Sequence, residues 1–440
     1  MAGIEETKDW IVNTVWPEIV KNGKLKSAQN KNISSEEPPT LLNVSLTPIG
    51  IEEAFMLTTC HKIKIDYTCG NEERSLHLVA KRTPKEVSAE SYEAVDFKTL
   101  FYNEITAYNK IFPKLLKLTN TDTKNYNCPT YYYSDVKEME ASIVLSDFKE
   151  DGFQMSPSRI NLSLEHVLLG VELIGGFHGL CYALKAINKK EFDDLAALAK
   201  ESRYAKSPPA EWGCLGPITM KRLSKATDKF YPEMPKDLQE KIKQLLNDCW
   251  TYSKERVKPI EPYATLCHGD YLRNNIAFSY DDKEKPTVPK KAMMFDFQTL
   301  RYSSPMVDLT TFLTISTGMD VRVPHFDKIF DTYHHKLSSS FVDFTKKELP
   351  EFMTRSNMLK EYVRYLPYSL GIAAFFLPNM HEPNNIFAKN MLGENFNLEL
   401  IEAGLMALGG EAADKELASL QKELYEFTVQ EDINIFEGFL

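Results

Sequence analysis

The chain has seven cysteines, an odd number, and none of them forms a CxxC pair. That argues against a disulfide framework or a zinc site and fits reduced thiols in a cytoplasmic protein. Basic excess is also missing. With 52 Lys and Arg against 62 Asp and Glu, the net charge is −10, which speaks against a general nucleic-acid binder, although a local basic cluster can still hold phosphate. The first ten residues are acidic and lack the basic-then-apolar pattern of a signal peptide. No apolar run reaches the length expected of a membrane span. There is no internal repeat and no low-complexity tract. These readings leave no nucleic-acid partner, no membrane span and no obligate protein partner in view.

What is present fits a globular protein. At 440 residues, 43% hydrophobic and 26% charged, the chain is long enough for two lobes with separate cores. Its informative stretch is 264–312. An apolar lead-in ends at Cys267, then comes His268-Gly269-Asp270, and Asn275 follows five residues after Asp270. Two strand-like runs come next, 276–278 and 292–295, and the second ends at Asp296-Phe297-Gln298. A hairpin between 275 and 296 would bring Asn275 and Asp296 together at its open end. Phosphoryl transfer needs a carboxylate to take the proton of the attacking hydroxyl, and oxygen ligands for magnesium. Asp270 suits the first task; Asn275 and Asp296 suit the second. A lone His-Gly-Asp would be an ordinary turn, but the ordered set at hairpin spacing is not.

This set resembles the catalytic core of aminoglycoside phosphotransferases and choline kinases. With Arg301, Ser304-Pro305 and Asp308-Leu309 added, it is more similar to the ecdysteroid kinase-like (CHK-kinase-like) group, over roughly 40–415. The resemblance implies an α+β, two-lobed, protein-kinase-like fold. It has a small N-lobe built on an antiparallel sheet and a larger, mainly helical C-lobe. The expected units are an N-terminal helix and linker over 1–39, a nucleotide-binding N-lobe over 40–147, and a C-lobe over 148–440 with the catalytic loop and acceptor site. The resemblance also implies support of the catalytic loop by His268 and Asp308.

Along the chain, helical spacing predicts a helix over 4–21, broken or kinked at Pro17, then a linker over 22–39. Strands are expected from 41, over 54–67, and over 76–81. The 76–81 strand would put His77, Val79 and Lys81 on one face. A phosphate-covering loop would fall at 48–56, where Gly50 is the only glycine and Glu52 and Glu53 follow. A helix over 95–112 carries Glu104 within its apolar stripe, where a buried carboxylate wants a cation. Lys81 is the natural partner and would reach the phosphates. Residues 115–128 read as a polar excursion, and 131–133 and 142–145 as strands. The resemblance implies a hinge at 145–148, with the Ser146 carbonyl and the Phe148 amide facing adenine. A long helix over 163–185 has His178 on its buried face, read as a satisfied core histidine, and Gly175-Gly176 suggests a closely packed neighbour. Residues 190–235 look loop-rich, 237–257 helical, and the remainder after Ser304-Pro305 mainly helical.

The reading that follows is an ATP- and Mg2+-dependent kinase of a small hydroxylated molecule, the family's type activity being on an ecdysteroid. A choline-like or sugar alcohol acceptor is an alternative, as is a catalytically idle binding protein, which the glycine-poor loop would suit. A protein kinase is disfavoured: there is no His-Arg-Asp, no Asp-Phe-Gly, and Asp308 follows Asp296 by only twelve residues.

Overall fold

Strict alternation over 59–82 makes the longest hairpin of the chain. In the computed structural model, which describes residues 2–25, 38–49, 58–84, 87–119, 127–208, 213–281, 287–382 and 397–439, β2 (Thr59–Cys69) and β3 (Glu72–Arg82) pair antiparallel from Thr59↔Arg82 to Cys69↔Glu72. Gly70, at φ +61 in the two-residue turn, takes the left-handed conformation such turns require. β1 (Thr40–Pro48), β4 (Tyr131–Lys137) and β5 (Glu140–Ser146) complete a five-stranded sheet in the order β1-β2-β3-β5-β4. In β1 the alternation of Leu42, Val44 and Leu46 fails at its first member. The register shifts between Leu41 and Asn43, and this bulge leaves Leu42 exposed.

One face of the sheet, with Ile63, Ile65, Leu76, Leu78 and Ala80, forms a core with Ile11, Val15, Trp16 and Ile19 of the N-terminal helix. That helix runs as Ala2–Trp10, a wider π turn Ile11–Val15, and Trp16–Lys21. Pro17 lies in the first turn of the last piece, where its missing N–H does no harm. Ala141, Ile143 and Leu145 of β5 join the main core instead, together with Phe101, Tyr108 and Phe112. The helix expected over 95–112 is longer and broken. Asp96, at φ +58, ends Ala89–Val95 and caps Phe97–Thr106. The helix then runs on through Phe112–Thr119, because buried Leu115 continues the stripe into the stretch read as polar.

The rest is mainly helical around Leu164–Ile187, which is buried on nearly all sides. Contrary to the sequence expectation, this one helix is long and apolar enough to cross a membrane, but 83% of its apolar window is buried inside the fold. Gly175 and Gly179 let Met319–Thr345 approach closely: a Cβ would lie 2.7 Å from the Tyr333 carbonyl at Gly175 and 2.4 Å from the Leu337 carbonyl at Gly179. The 190–235 stretch is not loop-rich throughout. Lys189–Ala196 and Leu215–Phe230 are helices; Gly216 and Pro217 fall in the first turn of the second, and Ile218 and Leu223 supply its buried face. The expected single helix over 237–257 breaks at Asp248, whose side chain caps Cys249–Arg256. Arg355–His381 runs through Pro367 without interruption.

Candidate active site

Lys81 lies on the cleft face of β3, as alternation requires, while Leu78 and Ala80 are buried on the other. Its ammonium donates to Glu104 at 2.9 Å and to Asp296 at 2.7 Å. Glu104 is 1% exposed on helix Phe97–Thr106. The expected Lys81–Glu104 pair is therefore formed, and Asp296 joins it. Burial presses Lys81 down, but the carboxylates of Asp296 and Glu104 together outweigh it and hold the ammonium above its ordinary range. One ammonium serves two carboxylates, so the more deeply buried acid bears the imbalance. Glu104 is pushed up to about 7, by burial first; Lys81 opposes this and Asp296 adds to it.

The hairpin forms at the expected place. β6 (Ile276–Tyr280) pairs with β7 (Pro289–Met294), with Ile276 opposite Met294, and the Phe295 amide donates to the Asn275 carbonyl at 3.0 Å. This register brings Asn275 and the Phe295-Asp296 step to one end. Asp296 sits at φ +67, a left-handed conformation that aspartate tolerates better than most residues. Asn275 turns its Nδ2 to the Asp270 carbonyl (2.8 Å) and to Asp270 Oδ2 (3.3 Å). Its Oδ1, the atom able to ligate a cation, must therefore point the other way. Asp270 Oδ1 accepts from Arg203 at 2.7 Å.

The His268-Gly269-Asp270 turn hangs on Asp308. Asp308 Oδ2 accepts from the His268 amide and Oδ1 from the Gly269 amide, both at 2.7 Å. His178 Nε2 adds a third bond at 3.1 Å, while His178 Nδ1 meets the Tyr333 hydroxyl at 3.0 Å. Burial pushes the Asp308 carboxyl up, but the His178 hydrogen bond, the nearby charges and the Gly269 amide overcome it and hold the group below its usual range. His268 donates from Nε2 to the Phe295 carbonyl at 2.9 Å, tying the His-Gly-Asp turn to the strand that leads into Asp296. The helix bearing Asp308 begins at Met306 with Pro305 as its cap residue.

His178, Cys267 and Asp308 have ligand-type atoms within 4.8 Å of one another. All three are already engaged: Cys267 Sγ lies against the Thr265, Ser303 and Ser304 carbonyls, and burial drives its thiol well up. The cluster is a hydrogen-bonded core, in keeping with the satisfied-histidine reading of His178.

Ser146 and Phe148, expected at the hinge, lie beside these elements. Ser146 ends β5, its amide bonded to the Thr130 carbonyl at 2.8 Å. The Phe148 ring stands 5.1 Å from that of Phe295, next to Asp296. Gly50 and the rest of the expected 48–56 phosphate loop from 50 to 56 lie outside the described residues. Sequence reasoning missed Arg203, Asn103 and the part His178 plays in holding Asp308. None of these carries a periodic or spacing signal, because each acts across a long loop or through a partner distant in sequence.

A buried Lys–Glu pair under an antiparallel sheet, set over a helical part that presents His-Gly-Asp, Asn and Asp, defines a two-lobed kinase-like fold of the small-molecule kinase class. The chain matches the model of the ecdysteroid kinase-like family over residues 52–344, more than half its length, and belongs to that family. No curated protein matches it. Among solved structures, an aminoglycoside-3'-phosphotransferase of type VIII is similar at 12% identity, over 76% of this chain and 94% of that one, with a TM-score of 0.32; so slight a likeness carries nothing further.

Proposed function

We propose that this protein is an ATP-dependent kinase that transfers the γ-phosphoryl group to a hydroxyl of a small molecule. The observation that carries the reading is Lys81 held between Glu104 and Asp296, with Asp270 and Asn275 joined to each other on the neighbouring loop. Asp270 receives the proton of the attacking hydroxyl as the new O–P bond forms and the bond to the ADP oxygen breaks. Lys81, kept in place by Glu104, orients the phosphates. Asp296 and the Oδ1 of Asn275 are the oxygen donors that suit magnesium, which when bound compensates charge along the phosphates. His268 and Asp308 fix the loop that carries Asp270. Adenine would meet main-chain groups of Ser146 and Phe148, and Gly50 would let the phosphate loop approach. On this reading 40–147 is the nucleotide-holding unit and 148–440 the acceptor-holding one.

The family description points to an apolar hydroxylated acceptor, an ecdysteroid among them. Asp270 faces the guanidinium of Arg203 rather than an acidic cage, which favours a neutral or anionic acceptor over a choline-like cation. Free thiols at all seven cysteines support a reducing, cytoplasmic setting. Asp270→Asn tests the assignment: ATP binding by calorimetry should persist while phosphorylated product from a panel of alcohols and steroids disappears. Unimpaired turnover in that variant would end the reading.

A further inference from the structure

The loop after helix Lys189–Ala196 carries no recognised motif, yet it touches Asn103, Gln298 and Asp270. Asn103, fully buried and the neighbour of Glu104, donates from Nδ2 to the Lys200 carbonyl at 2.7 Å, and its Oδ1 accepts from the Lys200 amide at 2.9 Å. The same Nδ2 donates to the Gln298 carbonyl at 3.1 Å, and the Ser202 hydroxyl reaches that carbonyl at 3.4 Å; Gln298 is two residues past Asp296. Glu201 Oε1 accepts the Arg203 amide at 2.8 Å and the Tyr204 amide at 2.9 Å, closing a turn that delivers Arg203 to Asp270. Tyr204 anchors the turn: it is buried, 5.1 Å from the Trp250 ring and under the Arg301 guanidinium.

We propose that the 200–204 turn couples the Lys81–Glu104 pair to the catalytic loop, with Arg203 as the positioning residue for Asp270. The inference rests on the phosphotransferase reading of the same site. In protein kinases the Lys–Glu pair is controlled by the segment that follows the magnesium-binding aspartate. Here only twelve residues separate Asp296 from Asp308, and helix Met306–Ser316 takes up the end of that stretch. The turn acts from elsewhere in the chain. Swinging the Glu104 helix away would break the paired Asn103–Lys200 bonds and leave buried polar groups without partners. Pulling on Oδ1 from Arg203 and on Oδ2 from Asn275 fixes the plane of the Asp270 carboxylate.

The experiment uses the full chain and four variants: Arg203→Met, Arg203→Lys, Asn103→Ala and the Asn103→Ala/Arg203→Met double. Amide hydrogen exchange is followed over 97–106, with 410–430 as an internal control, and Mg-ATP turnover to ADP is measured in parallel. Arg203→Met touches Asp270 and not the Glu104 helix, so exchange over 97–106 should rise about threefold or more with the control unchanged. Arg203→Lys should restore most of the protection. Turnover in Arg203→Met should drop about tenfold in kcat with KM for ATP nearly constant. The double variant should be no worse than the poorer single, because the two residues act through one turn. Wild-type exchange over 97–106 in Arg203→Met, or additive effects in the double, would overturn the coupling. A wild type that neither binds nor turns over Mg-ATP would remove the phosphotransferase reading, while the ligand-free exchange comparison still decides the coupling. If Asn103→Ala also loosens 410–430, the comparison of the Met and Lys variants at part-exposed Arg203 decides between coupling and its absence.

Discussion

Lys81 and Asp296 stand 215 positions apart in sequence and meet at 2.7 Å. Because Glu104 holds the same ammonium, one ammonium faces two carboxyl groups. Glu104, pushed up to about 7, keeps its proton in the folded chain over a range where the unfolded chain has lost it. A carboxyl raised in this way contributes stability that is present below 4.5 and is lost as pH rises through about 7. Glu104→Gln keeps the shape and removes the titration. Urea denaturation at about pH 5 and about pH 8 should show the wild type losing on the order of a few kcal/mol relative to this variant. A difference that stays flat with pH would mean that Glu104 remains ionised throughout.

Asp308 has the opposite sign. It is fully buried, yet three N–H donors hold its carboxyl below 3.8, so its contribution is present above that value and is lost as pH falls through the lower folded one. Asp308→Asn offers one oxygen where two are used, and sets an NH2 group against the N–H of His268, Gly269 or His178. It should cost about 3–5 kcal/mol, the range for breaking a buried charged arrangement. His178→Phe should cost less, about 1–3 kcal/mol, since it leaves one lone pair of Asp308 and the Tyr333 hydroxyl unmatched. Equal losses in the two variants, measured by denaturant midpoint, would mean that the amide bonds from the loop contribute little.

Much of this site is legible in the sequence because it is local or periodic. The two-residue period of β3 puts Lys81 on the cleft face, helical spacing puts Glu104 in a buried stripe, and hairpin spacing joins Asn275 to Asp296. Arg203 is not legible: its approach to Asp270 depends on a turn closed by Glu201 and on the depth at which Tyr204 is buried, neither of which has a pattern. The 190–235 stretch misleads for a related reason. Pro208, Pro209 and Gly213 mark the connection strongly, and that signal hides the amphipathic helix Leu215–Phe230 that follows. Leu42 fails because a bulge resets the alternation, and one extra residue in a strand leaves no mark in composition.

Gly269 tests how closely the His268-Gly269-Asp270 turn is specified. It sits at φ +86, and a Cβ there would lie 1.8 Å from the Thr299 carbonyl oxygen and 2.7 Å from its carbon. Those are backbone atoms, which cannot step aside as a flexible side chain would. Gly269→Ala must therefore move either the loop bearing Asp270 or the segment carrying Gln298 and Arg301. Displacement of a reacting group by about 1 Å is enough to cost on the order of 100-fold in rate, so turnover should drop at least that much. Gly438→Ala is the control: it shares a left-handed backbone at φ +80 but has nothing within 4 Å of the added carbon. It should lose only the conformational part, about 1–2 kcal/mol of stability, with turnover intact. If both variants kept wild-type turnover, the contact with Thr299 would not set the position of Asp270.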